Sequence, residues 1–133
     1  MTTPSRALIL IDVQQEYFAG PLTIQYPAPA DSLAKITAAI DAAAASDIPI
    51  VVVQHTGGDE APIFNPTTDG FATHPEVASR QDASWHAIVK EYSSVFPGTG
   101  LLDWLHSNAI DTITLVGYMT NNCILAPAAE AAP

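Results

Sequence analysis

Short unbroken apolar runs alternate along this chain with longer stretches whose apolar positions recur every three or four residues. Ala7 to Ile11 is apolar throughout and stops at Asp12. A run with no polar alternation predicts a strand buried on both faces. Leu33, Ile36 and Ile40 then form an apolar stripe at helical spacing, continued by Ala42 to Ala45. This predicts a helix capped by Asp31 or Ser32 and broken at Ile48-Pro49. Ile50 to Val53 is a second buried strand.

Residues 55–80 are rich in Gly, Pro, Asp and Thr, without periodicity. They predict a long loop, and loops of that length in compact domains are usually functional. Trp85 to Lys90 reads as a third strand, Thr99 to Ser107 as a helix, and Ile110 to Val116 as a fourth strand closed by Gly117. A helix is expected over 121–131, interrupted by Pro127. The succession of strands and helices predicts one α/β domain over 1–133, a three-layer Rossmann-like parallel sheet of about four strands. In such sheets ligands bind beyond the carboxyl ends of the strands, at the switch point. Asp12, Lys90 and Cys123 all fall at or just past predicted strand ends.

Composition narrows the function. Of 133 residues, 4 are Lys or Arg and 14 are Asp or Glu, a net charge of −10. Nucleic acid and anionic membranes need clustered cations, so neither is an expected partner. The hydrophobic share of 48% suits a folded core. No apolar run reaches the length of a membrane span, and the N-terminal run is too short for a signal peptide. The chain is expected to be cytoplasmic. A lone cysteine, Cys123, rules out an internal disulfide and a four-cysteine zinc site.

The three strand-end residues suit acyl transfer. A thiolate is a nucleophile, and both a helix N-terminus and a nearby cation favour it. Cys123 lies where the last helix should begin, Lys90 would supply the cation, and Asp12 would take the thiol proton and return it to a leaving amine. Backbone amides between Gly117 and Cys123 would hold the oxyanion. Each residue also has an ordinary structural reading. Cys123 would be a small buried hydrophobe, Asp12 a turn cap and Lys90 a solvated lysine. Gln14, Tyr17, Phe18, His55 and Tyr118 border the same ends. Gln14, Phe18, His55 and Tyr118 are the candidate substrate-binding residues. For the aromatics the structural alternative is core packing, and for His55 a solvated loop position.

With these segments in place, the sequence resembles the isochorismatase-like cysteine hydrolases. The matching stretches are ALILIDVQQEYF from Ala7 to Phe18, VQH from Val53 to His55, KEYSSVF from Lys90 to Phe96 with Gly98, Thr99 and Leu101, and LVGYMTNNC from Leu115 to Cys123. The resemblance implies a triad of Asp12 as general base, Lys90 as charged partner and Cys123 as nucleophile. It also implies a cis peptide before Met119, with the Met119 and Cys123 amides as oxyanion donors. Nicotinamidase-like members carry an Asp-x-His metal motif after the second strand. Here that segment is Gln54-His55-Thr56-Gly57, so no metal or other cofactor is implied. Isochorismate-cleaving members generally lack the cysteine. What is implied is hydrolysis of a small amide or carbamoyl C–N bond through a thioester.

The chain departs from the family by encoding four strands where six are usual, which leaves the fourth strand at an edge. The alternative function is therefore an inactive remnant or binding protein with the same fold. The open edge predicts a homodimer or higher homo-oligomer. A phosphorylated receiver domain would need acidic neighbours to Asp12 and an Asp after the third strand. A dinucleotide-binding domain would need Gly-x-Gly-x-x-Gly after the first. Neither pattern is present.

Overall fold

A computed structural model describes residues 5–20, 22–24 and 28–118. Four strands, β1 (Arg6–Ile11), β2 (Ile50–His55), β3 (His86–Lys90) and β4 (Thr112–Gly117), form one sheet in the order β3-β2-β1-β4. All pairings are parallel: Leu8 sits opposite Ile50, Val51 opposite His86, and Ile9 opposite Leu115. The chain moves outward from β1 to β2 to β3, then returns to place β4 on the far side of β1. The sheet's switch point therefore lies between β1 and β4, next to Asp12.

Alternate residues of each strand enter different layers. Leu8, Leu10 and Ile50 pack with Ile36, Ile40 and Ala43 of helix α1 (Pro29–Ala45) on one face. Ala7, Ile9, Ile11, Val51, Val53 and Ile88 pack with Leu101 and Leu105 of helix α3 (Leu101–Ser107) on the other. That division is why the runs 7–11 and 50–53 show no polar alternation: both faces are covered. A fully buried Ile or Leu contributes about 1.5–3 kcal/mol relative to an exposed one. The result is the expected three-layer α/β arrangement. β4 is half-exposed and lies at an edge among the described residues. No helix among them is long and apolar enough to cross a membrane.

Several boundaries differ from expectation. α1 starts at Pro29, and neither Asp31 nor Ser32 is its cap. Proline's preset φ suits the first helical position, which has no amide bond to lose. Ser32 instead sits in the first turn, its hydroxyl on the Pro29 carbonyl and 2.7 Å from the Tyr118 hydroxyl. β2 runs two residues past its apolar run, to His55. The 55–80 stretch holds a 3₁₀ turn (Asp69–Phe71) and a one-turn helix α2 (Pro75–Ala78), which His74 caps by accepting from the Glu76 amide. Trp85, Thr99 and Ile110 fall just outside the elements assigned to them. The helix expected over 121–131 lies outside the described residues.

Candidate active site

Asp12 is the first residue past β1. It has a φ of +53°, a left-handed conformation that costs a non-glycine residue of order 1 kcal/mol. Its amide donates to Val53, and its carbonyl accepts from Gln14 two residues on. This tight turn sets the Asp12 side chain, fully buried, among the ends of the central strands.

Lys90 ends β3, two strands away, with β2 between. Neighbouring strands are about 4.8 Å apart, so only a long side chain crosses that gap. The Lys90 ammonium lies 3.2 Å from an Asp12 carboxylate oxygen, and neither side chain is solvent-exposed. It also lies 2.9 Å from the Tyr92 carbonyl and 3.2 Å from His55 Nδ1. A buried ion pair of this kind survives only with such further polar contacts, because both ions have left water.

His55 is the last residue of β2 and stands opposite Lys90 in register. Gln14, also fully buried, clamps it. The Gln14 carboxamide accepts from the His55 amide at 2.9 Å and donates to the carbonyls of His55 and Phe71 at 3.0 and 2.9 Å. The Gln14 side chain is thus committed to backbone groups. Burial, reinforced by the Lys90 charge, lowers the His55 pKa against the pull of the Tyr92 carbonyl. Burial likewise lowers that of His74, against the nearby Glu76.

These two shifts carry a sign for stability. Each imidazole is held neutral in the fold, so as pH falls through 6.5 the unfolded chain takes up protons first. Their contribution is complete above that value and is lost below it. The urea midpoint is expected to be lower at about pH 5.5 than at about pH 7.5. Equal midpoints would rule this out.

The aromatic candidates pack against one another. Phe18 meets Tyr118 edge-on at 5.6 Å, and Tyr17 lies between Phe64 and Tyr118. The Tyr118 hydroxyl is engaged by Ser32, and burial raises its pKa. Its amide donates to Ile11 at 3.0 Å, so the chain passes Tyr118 one residue from Asp12. Met119 and Cys123, with the cis peptide expected before Met119, lie outside the described residues.

Sequence reasoning missed two supports. One is the Tyr92 carbonyl beneath Lys90, which no side-chain motif announces. The other is Glu16, a buried carboxylate that accepts from the Phe64 amide. Gly70 packs so closely on that carboxylate that a Cβ there would overlap it. Together with Gln14, Glu16 folds the 57–72 loop back over the β1 end. Among the described residues no three His, Cys, Asp or Glu side chains converge as metal ligands.

The isochorismatase domain family matches residues 6–132. A crystal structure of a Burkholderia xenovorans protein assigned as an isochorismatase is 45% identical, with a TM-score of 0.92 over 98% of this chain. The chain spans 62% of that protein's length. N-carbamoylsarcosine amidase from Thermoplasma acidophilum is 26% identical, with a TM-score of 0.85, over 96% of this chain and 75% of its own. The secreted isochorismatase effector Isc1 of Verticillium dahliae is 28% identical over 98% of this chain and 67% of its own. With the family match covering nearly the whole chain and the fold shared with the Burkholderia structure, this chain belongs to the isochorismatase family.

Proposed function

We propose that this chain carries the catalytic machinery of a cysteine hydrolase that cleaves a small amide or carbamoyl C–N bond. The observation that supports this most is the fully buried Asp12–Lys90 pair, with the amide of Tyr118, five residues before Cys123 in the sequence, bonded to Ile11 next to Asp12. Amidases occur in the family: one structural relative is an N-carbamoylsarcosine amidase.

In this reading Asp12 accepts the Cys123 thiol proton, and the thiolate attacks the substrate carbonyl carbon. The oxyanion is held by the Met119 and Cys123 amides. Collapse breaks the C–N bond, and Asp12 returns the proton to the departing amine. Water, deprotonated by Asp12, then attacks the thioester and releases the acid and the Cys123 thiol. The Lys90 ammonium stays beside Asp12 and orients the carboxylate that accepts the proton. Gln14 positions His55, while Phe18 and Tyr118 shape the apolar wall.

The test is a panel of small primary amides and N-carbamoyl compounds. Intact-mass detection of an acylated chain after acid quench accompanies steady-state turnover. Acylation lost in Cys123→Ser is the expected result. Saturable binding with no acyl adduct for any compound would instead assign a binding protein of the same fold. We also propose a homodimer or larger assembly, since β4 lies at a half-exposed edge among the described residues. Light scattering is expected to give at least twice the 14.0 kDa chain mass. A monomer at micromolar concentration would overturn this.

A further inference from the structure

Lysine's ammonium has three N–H donors and no acceptor. Each neighbour within hydrogen-bond distance of the Lys90 nitrogen must therefore present a lone pair. The Tyr92 carbonyl at 2.9 Å and the Asp12 carboxylate at 3.2 Å do so in any protonation state near neutrality. Another neighbour among the described residues, His55 Nδ1 at 3.2 Å, does so only in one tautomer of the neutral ring. A proton on Nδ1 would point an N–H at the cation of a fully buried lysine.

The surroundings allow the ring little choice of place. Both backbone polar groups of His55 are bonded to the Gln14 carboxamide, and the imidazole meets Phe64 edge-on at 5.1 Å. Lys90, paired with Asp12 from the end of β1, faces it from β3, and the Tyr92 carbonyl faces it too. Glu91 and Tyr92 share with it the lining of an open cavity of about 400 Å³.

We infer that His55 is a positioning residue for Lys90, a neutral imidazole protonated on Nε2 whose Nδ1 accepts from the ammonium and fixes it against Asp12. A second carboxylate in that place would divide the ammonium's charge between two anions. A neutral acceptor fixes the nitrogen while leaving the full positive charge to Asp12. The inference deepens the hydrolase reading above and rests on it for its kinetic part, while its tautomer part stands on geometry alone.

Two readouts test it separately. The first is ¹⁵N-histidine NMR of the whole chain near neutral pH. His55 is expected as the Nε2–H tautomer, and Lys90→Met is expected to release that preference. An Nδ1–H tautomer, or one unmoved by Lys90→Met, would overturn the inference whether or not any substrate is turned over.

The second readout is kinetic, on the amide found active in the panel. His55→Leu keeps bulk but removes the acceptor, and kcat is expected to fall about tenfold or more, the loss of one hydrogen bond to a charged group. KM is expected to stay within about twofold, because the side chain acts through Lys90. His55→Asn places an amide oxygen near the Nδ1 position and should restore kcat to within about threefold of wild type. Circular dichroism establishes that both variants fold. A fully active His55→Leu, or a folded His55→Asn as impaired as His55→Leu, would overturn the positioning role.

Discussion

A Gly117→Ala chain is expected to lose most of its stability. Gly117 is the last residue of β4 and has a φ of +129°, a backbone conformation that side-chain-bearing residues rarely adopt. A Cβ there would lie 1.9 Å from the Ile11 carbonyl oxygen and under 3 Å from two more Ile11 backbone atoms. Those atoms belong to the central strand, so nothing flexible can yield. The strain and the overlap act together, and the loss should exceed about 4 kcal/mol, the range reserved for severe core damage. Folded domains have only about 5–15 kcal/mol in hand. Gly98→Ala is the control: its φ is +72°, but a Cβ would meet nothing within 4 Å. It should cost only about 1–2 kcal/mol, the left-handed penalty alone. Urea unfolding of both variants measures the difference. A Gly117→Ala chain as stable as the Gly98→Ala chain would show that the ends of β1 and β4 are not in such close contact. The consequence is functional as well as structural, because that contact sets Tyr118 beside Asp12.

Removing the Lys90 charge is the second large effect. In Lys90→Met the side chain keeps its length and loses its ammonium, leaving the Asp12 carboxylate buried without the cation 3.2 Å away. Breaking one side of a buried ion pair costs about 3–5 kcal/mol, because a charge is left uncompensated in low dielectric. The Asp12→Asn change alone should destabilise for the mirror-image reason. The double variant removes both charges and should recover much of the lost stability, since the two single effects share one interaction. Turnover should be lost in all three, because proton transfer requires a carboxylate poised by the ammonium. The urea midpoints of the four chains form a double-mutant cycle. Strictly additive costs would mean that the two side chains do not interact, and the site would have to be redrawn without Lys90.

The elements were more legible than their ends. β1 and β2 stood out because both faces of a central parallel strand are apolar, and a continuous apolar run has few other uses. The apolar pattern marks β2 only as far as Val53, for a related reason. Gln54 and His55 are polar because the strand's carboxyl end enters the site, so the pattern that marks the strand disappears where function begins. The start of α1 differs from expectation because Asp31 and Ser32 are good caps in isolation, whereas Pro29 already has the first turn's φ.

Sequence alone determined the layering and the short list of reactive residues. Buried strands, an amphipathic helix stripe and charged residues at run ends are local patterns, dictated by which side chains leave water. Only the tertiary structure decided the strand order, with β4 returning beside β1. It alone set Lys90 across β2 onto Asp12, and turned His55 from a residue in a polar stretch into a partner of that ammonium. Those contacts join residues far apart in the chain, and their geometry depends on register and strand spacing. No local pattern of hydrophobicity encodes either.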